Sequence, residues 1–145
     1  MAHPADDRLL DAASVGDLDA LVEALRQGAG VNTRGQFGDT ALNLAAEHGH
    51  KEIVQCLLDA GADIHNVGGA DKTPIMNAAF AGNIGIVRLL LEKGARVSAD
   101  LLSSVALKVS ILEENAEAGM VRPEAVEAWT RFLDMLVAAR NKGDR

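Results

Sequence analysis

The residues best suited to chemistry are two histidines and two glutamates within six positions: Glu47, His48, His50 and Glu52. Imidazole and carboxylate groups can hold a metal ion or transfer protons, so they could serve a metal-dependent hydrolase built on His48 and His50. Gly49 separates the two histidines, however, and glycine commonly ends a helix. We therefore expect the histidines in different helices, without a closed ligand set, and we expect no enzyme activity, catalytic residue, metal or cofactor.

Two further features could carry chemistry, a single cysteine and a pair of glycines. Cys56 is the only cysteine, so no internal disulfide can form, and its apolar neighbours predict a buried, inert thiol. Gly68 and Gly69 precede Lys72, but a phosphate-binding loop needs a preceding strand and a Gly-Lys-Ser/Thr ending. The glycine pair is therefore predicted to form a turn.

An internal repeat organises the elements that position these residues. Its period is about 33 residues, and shifting back by one period places Gly61 on Gly28 and Gly49 on Gly16. Each copy is predicted to form two short amphipathic helices ended by a glycine. One apolar flank of such a hairpin cannot be buried alone, so the copies are expected to stack. The matching segments are residues 40–46 with 73–79, and 61–65 with 94–98.

The sequence motifs of these copies resemble those of the ankyrin repeat family. Its signature of Thr-Pro-Leu-His, Ala-Ala, Gly-His, an Ile-Val-x-x-Leu-Leu helix and Gly-Ala-Asp-Val-Asn is matched over about residues 7–100. The resemblance implies an all-α fold, an ankyrin-repeat solenoid of stacked helix-turn-helix units. The chain departs from the signature at Asn43 and Met76, where His is usual, and at Asp11 and Asn77, where an apolar residue is usual. Asp11 suits the polar outer face of a capping repeat, whereas Asn77 needs either a backbone partner or a ligand.

The register of the repeat fails after residue 100, where two longer apolar periodicities follow. The second contains Trp129, Phe132 and Leu136 at helical spacing, which predicts a core position for Trp129. We interpret these residues as a C-terminal pair of long helices that caps the array. The alternative is a structural protein that self-associates through them. The expected organisation is one domain over 1–145, with an N-terminal capping repeat at 7–38, repeats at 39–70 and 71–100, and the cap at 101–145.

The resemblance also implies a partner-binding surface, formed by the tips of the connecting hairpins and the exposed side of each first helix. Phe37 and Phe80 stand out there, because the chain has only three Phe and one Trp and aromatic anchors often dominate binding energy. We expect a protein–protein interaction module that acts as adaptor, scaffold or regulator. The residues implied in partner binding are Arg34, Gln36, Phe37, Asp39, Glu47, His48, Val67, Lys72, Phe80 and Ala81.

Composition and charge exclude several other classes of partner. The net charge is −7 and only 3% of the residues are aromatic, so neither phosphate attraction nor base stacking favours nucleic acid. The first hundred residues hold 14 acidic and 8 basic side chains, which favours a protein partner with a basic patch. No apolar run is long enough for a membrane span, and residues 1–7 have neither the basic nor the apolar region of a cleaved signal, so we do not expect export by one. We expect a cytoplasmic protein that is a monomer or weak homodimer.

Overall fold

The structure, a computed structural model, describes residues 3–143 of the chain, and within that range it is built from helices and turns without a strand. The predicted all-α class is therefore confirmed. The chain divides into two compact units, Met1–Ala95 and Arg96–Arg145. The helices are α1 (Pro4–Val15), α2 (Leu18–Arg26), α3 (Ala41–His48), α4 (Lys51–Asp59), α5 (Pro74–Phe80), α6 (Ile84–Glu92), α7 (Ala99–Glu117) and α8 (Pro123–Gly143).

The first unit is a stack of three helix hairpins, α1 with α2, α3 with α4, and α5 with α6. First helices contact first helices, α1 with α3 and α3 with α5, while the second helices contact one another in the same order. The pairs Ala45-Ala46 and Ala78-Ala79 are fully buried, and such small side chains let neighbouring helices approach closely. The predicted solenoid of helix-turn-helix units is thereby confirmed.

Local signals set the ends of these helices as the sequence predicted. The Thr40 hydroxyl accepts a hydrogen bond from the Asn43 amide while the Asn43 side chain accepts one from the Thr40 amide, a reciprocal cap of α3. Pro74 occupies the first turn of α5, where its missing N–H is not needed. Gly49 ends α3 with φ of 80°, a left-handed conformation that glycine adopts without steric cost.

Equivalent side chains tie consecutive hairpins together near the carboxyl ends of their first helices. The ring Nε2 of His50 lies 3.0 Å from the Ser14 carbonyl oxygen. One period later, the side-chain Nδ2 of Asn83 donates a hydrogen bond of 2.9 Å to the Ala46 carbonyl oxygen. A Cβ added at Gly16 would lie only 2.6 Å from the His50 ring, so a glycine at this position makes room for the link from the next hairpin.

Asp6 fastens the start of α1 to the connector that follows α2. Its carboxylate accepts hydrogen bonds from the Gly30 amide at 2.8 Å and from the Thr33 hydroxyl at 3.3 Å. The Gly30 bond is the main reason why the pKa of Asp6 lies below its ordinary value of 3.8, since it favours the charged form. The hydrogen bonds of Asp6 therefore stabilise the first hairpin most strongly when its carboxyl group is charged.

This fastening predicts an acid-sensitive stability difference between the wild type and Asp6→Ala. Because folding lowers the pKa of Asp6, its stabilisation is complete at pH values well above 3.8 and is lost as the pH falls through the lower pKa of the folded state. Urea unfolding should therefore show a wild-type advantage that is constant above about pH 5 and shrinks below the ordinary pKa. An advantage that is the same at acid and neutral pH would contradict this assignment.

The second unit is a pair of long helices, α7 and α8, that pack against each other. Leu101, Val105 and Val109 of α7 and Phe132 and Leu136 of α8 are buried. α7 begins at Ala99, two residues before the predicted start of this segment. The role of residues 101–145 as a cap for the array stays a prediction.

Two residues predicted to be core are only half-buried, Cys56 and Trp129. Cys56 lies on α4 between its buried flank, Ile53 and Leu57, and its solvent side. Trp129 packs edge-on against Phe132 with ring centres 5.6 Å apart, and the Lys108 ammonium lies 4.7 Å from the indole centre. A partly exposed indole face suits such a cation, so Trp129 borders the core instead of filling it.

Candidate functional site

The hairpin tips that join one helix pair to the next share a backbone pattern. In the first described tip, the Gly35 amide donates to the Asp39 carbonyl oxygen at 2.9 Å. One period later the Gly68 amide donates to the Lys72 carbonyl oxygen, also at 2.9 Å. The two tips, residues 35–39 and 68–72, are thus equivalent closed turns.

The two tips are also fastened to each other. The Asp39 carboxylate accepts a hydrogen bond of 2.9 Å from the Gly69 amide. A Cβ at Gly68 would collide with this carboxylate and come within 3.2 Å of the Asn43 side chain. The tips can approach this closely only because Gly68 has no side chain.

The second tip differs from the first in its backbone conformation. Ala70 and Asp71 both have left-handed φ angles, 56° and 57°, and they lie in a short 3₁₀ turn, Gly69–Asp71. The first tip places a glycine, Gly38, in this region with φ of 86°. The left-handed conformation costs an alanine roughly 1–2 kcal/mol. The backbone of the second tip is therefore strained, and this tip belongs to the surface predicted to bind a partner protein.

Replacing Ala70 with glycine is therefore expected to stabilise the chain. Relief of the left-handed strain should outweigh the added freedom of the unfolded chain by about 0.5–1 kcal/mol. Ala60→Gly is the matched control, because Ala60 is exposed at the end of α4 with an ordinary φ of −83°. We expect that control to lose stability in urea unfolding. Similar changes in the two variants would show that Ala70 is not strained.

A buried group of polar side chains lies beneath the second tip, on α3, α5 and the connector between α4 and α5. Asn43 is fully buried, and its amide nitrogen donates to Asn77 Oδ1 at 2.9 Å. Asn43 also accepts a hydrogen bond, because the side-chain Nδ2 of Asn66 donates to Asn43 Oδ1 at 2.7 Å. Asn77 was expected to need a backbone partner or a ligand; that expectation is corrected, because its partner is the Asn43 side chain.

This polar network fixes the base of the second tip. Asn43 Nδ2 also lies 3.4 Å from the Asn66 carbonyl oxygen and 3.3 Å from that of Lys72. Within residues 3–143, no buried side-chain nitrogen or oxygen lacks a hydrogen-bond partner. Fully satisfied buried networks rigidify the segments they join, so the network holds the backbone on both sides of residues 68–72.

The residues implied in partner binding lie on the first unit, and we call them the tip surface. Phe37 is 76% exposed, Val67 is 49% exposed and Phe80 is 39% exposed. Arg34, Gln36, Glu47, His48 and Ala81 are also exposed, whereas Asp39 and Lys72 are half-buried. The tip surface comprises Arg34, Gln36, Phe37, Asp39, Glu47, His48, Val67, Lys72, Phe80 and Ala81.

Specific contacts join some members of the tip surface. Asp39 binds the second tip through Gly69, and a Cβ at Gly69 would lie 3.3 Å from the Phe37 carbonyl oxygen, so the backbone of Phe37 adjoins that tip. The Lys72 ammonium lies 5.3 Å from the centre of the Phe80 ring, within the range of a cation–π contact. These contacts link the tips to the end of α5.

The two histidines that suggested metal chemistry are each engaged with a backbone carbonyl. His48 Nδ1 lies 2.8 Å from the Leu44 oxygen and His50 Nε2 lies 3.0 Å from the Ser14 oxygen. A carbonyl can only accept, so each of these ring nitrogens is the donor. The rings stack with centres 6.3 Å apart. In the described part of the chain, no group of three or more His, Cys, Asp or Glu side chains is arranged to hold a metal ion.

The fold and the tips define a helical repeat protein with paired hairpin tips. The chain belongs to the ankyrin repeat family, because the model of that family, ankyrin repeats in three copies, matches residues 9–100. Such repeats are generally protein–protein interaction modules and are typically non-catalytic. No helix within residues 3–143 is both long and apolar enough to cross a membrane.

Two curated proteins resemble parts of the chain. A probable E3 ubiquitin-protein ligase, XBOS33, of Oryza sativa subsp. japonica is 51% identical over 47 residues, which are 32% of this chain and 9% of that protein. The putative ankyrin repeat protein YahD of Escherichia coli (strain K12) is 44% identical over 61 residues, 42% of this chain and 29% of that protein. The chain thus spans less than a third of either relative.

Two positions support the site in ways that the sequence did not predict: Asn66, which was not singled out, and Gly68, which was predicted to form a turn but not to lie against Asp39. Gly68 carried a usable signal, since Gly35 precedes it by one period and occupies the equivalent turn position. Asn66 carried none, because one period earlier the chain has Thr33, which binds Asp6 instead. The buried role of Asn66 follows from its contact with Asn43, which is peculiar to this pair of repeats.

Proposed function

We propose that the chain binds a partner protein through the tip surface and acts as an adaptor, scaffold or regulator without catalysis. The observation that carries the proposal is Phe37, a large ring that is 76% exposed on a turn whose backbone is fixed. Buried aromatic anchors supply much of the energy of protein interfaces. A ring kept in solvent by a closed turn is suited to fill a pocket on another protein.

The rigidity of the tips supports the same proposal. The Asp39–Gly69 hydrogen bond and the Asn43 network hold the tip backbone before any partner arrives. Ordering loops and side chains at an interface opposes binding, so a preformed surface keeps more of its contact energy. The Phe80 ring also has a contact within the chain, because the Lys72 ammonium lies over its face, 5.3 Å from the ring centre.

Charge favours a basic partner through long-range attraction. The tip surface itself is balanced, with Arg34 and Lys72 against Asp39 and Glu47. The net charge of −7 belongs to the chain as a whole, and such a field mainly raises the association rate of a basic partner, in a salt-dependent way. A cytoplasmic location is part of the proposal, since a single cysteine is compatible with a reducing compartment.

Co-purification from the native host with a tagged chain tests this proposal. The variant is Phe37→Arg with Phe80→Arg, and the matched control is Val22→Arg with Leu107→Arg, two exposed apolar residues elsewhere. Loss of an aromatic anchor should weaken binding by at least about tenfold. We expect a protein that is retained by the wild type and the control and lost with the first variant.

Circular dichroism of all three proteins would verify that they are folded. A partner retained equally by both variants would place recognition outside the tip surface. A partner lost equally with both variants would indicate a response to added positive charge instead of the loss of the rings. Either outcome contradicts the proposed surface.

A further inference from the structure

A groove lies between the end of α7 and the start of α8, and none of the residues that line it belongs to the tip surface. Its volume is about 570 Å³ and most of its lining is apolar, with Ala116, Pro123 and Val126 among the residues that form it. Met120 lies in the turn that joins the two helices at this end and is 77% exposed. The turn end of the α7–α8 pair therefore exposes apolar surface.

Three carboxylates, Glu113, Glu117 and Glu127, border this apolar surface. Arg131 also lines the groove and lies 3.9 Å from the Glu127 carboxylate. Glu113 and Glu117 are one helical turn apart, and neither forms an ion pair with another residue of the range 3–143. Like charges at this spacing repel each other, so the α7 side of the groove has negative charge that the described chain does not neutralise.

We propose that this groove docks a basic, amphipathic segment of a partner protein. A Lys or Arg of that segment would lie between Glu113 and Glu117, and its apolar neighbours would cover Ala116 and Val126. An anionic ligand would be repelled by the rim, and a neutral apolar ligand would desolvate the carboxylates without pairing them. A cation beside apolar side chains meets both demands, as in helix-in-groove recognition. The site is independent of the proposed tip surface.

The test uses the full chain and a synthetic helical peptide of Leu and Lys, compared with the same peptide carrying Glu in place of Lys. Calorimetry should show binding of the Lys peptide alone, and amide NMR shifts should centre on Ala116 and Val126. Glu113→Gln with Glu117→Gln should weaken binding by about tenfold. The control, Glu114→Gln with Asp134→Asn, removes the same charge from exposed positions outside the groove and should change affinity less than about twofold.

Three results would overturn the proposal. The first is no binding of the Lys peptide at millimolar concentration. The second is equal weakening by both variant pairs, which would show a general attraction to a negative chain. The third is a set of NMR shifts confined to residues 3–95, which would place the peptide on the repeats. Because the substitutions are isosteric changes of exposed side chains, both variant pairs should stay folded, and circular dichroism verifies this.

Discussion

Asn43→Ala should destabilise the chain by about 2–4 kcal/mol, a large effect for a polar residue. The side chain is fully buried and bonds Asn77, Asn66 and the Thr40 amide. Its loss leaves buried donors and acceptors on two repeats without partners, and each such group costs about 1–3 kcal/mol before relaxation. Urea unfolding monitored by circular dichroism gives the free energy directly.

Asn141→Ala is the matched control for this prediction. It removes the same side chain from an exposed position on α8, where substitutions usually change stability by less than about 0.5 kcal/mol. A loss below about 1 kcal/mol for Asn43→Ala would mean that water or rearranged side chains replace the network. That result would mean that the hydrogen bonds of Asn43 do not stabilise the second tip.

Leu57→Ala should cost on the order of 2–5 kcal/mol. Leu57 is fully buried on α4, the middle second helix of the stack, which contacts α3 as well as α2 and α6. Truncation leaves a cavity at a place where neighbouring repeats support one another, so we expect the loss to weaken the whole array. The unfolding midpoint of the three hairpins should shift together.

The adjacent Leu58 provides a control with the same substitution. Leu58 is half-buried on the same helix, so Leu58→Ala removes less apolar surface from the interior and should cost about half as much as Leu57→Ala. A loss below about 0.5 kcal/mol for Leu57→Ala, or a larger loss for Leu58→Ala, would show that the buried flank of α4 is assigned wrongly.

The sequence predicted the repeat part of the fold because its signals are local and recur. Helix ends follow from Thr40, Pro74 and Gly49, whose effects act within one turn of the chain. The period of about 33 residues then repeats the same arrangement in each copy. Family membership follows from the same spaced motifs, which is why the resemblance and the family match agree over residues 9–100.

Contacts between distant residues were not predictable from these local signals. Asn77 pairs with Asn43 across 34 positions, and neither periodicity nor propensity specifies which polar groups meet inside a stack. Helical spacing predicted a core position for Trp129 and apolar neighbours predicted one for Cys56, but neither signal can tell the centre of a buried flank from its border. The left-handed Ala70 had no signal either, because alanine rarely adopts that conformation.

The exposure of most residues in the candidate site was predictable, since exposure follows from position in the repeat, whereas their role in binding stays a prediction. Phe37 and Phe80 are exposed as the ankyrin resemblance implied. The fastening of one tip to the other was not foreseen, because it depends on the absence of a side chain at Gly68 opposite Asp39. This contact fixes the two tips relative to each other, so the exposed residues form a surface before any partner binds.

Photo-crosslinking at Phe37 tests the central claim, that the tip surface contacts a partner protein. A benzophenone amino acid replaces Phe37 in the full chain, and Val22 is replaced in the same way as a control on α2. Irradiation in the native host followed by mass spectrometry should give one defined protein adduct from position 37, which disappears when Phe80→Arg is added. The same adduct at both positions, or none at position 37, would contradict the claim.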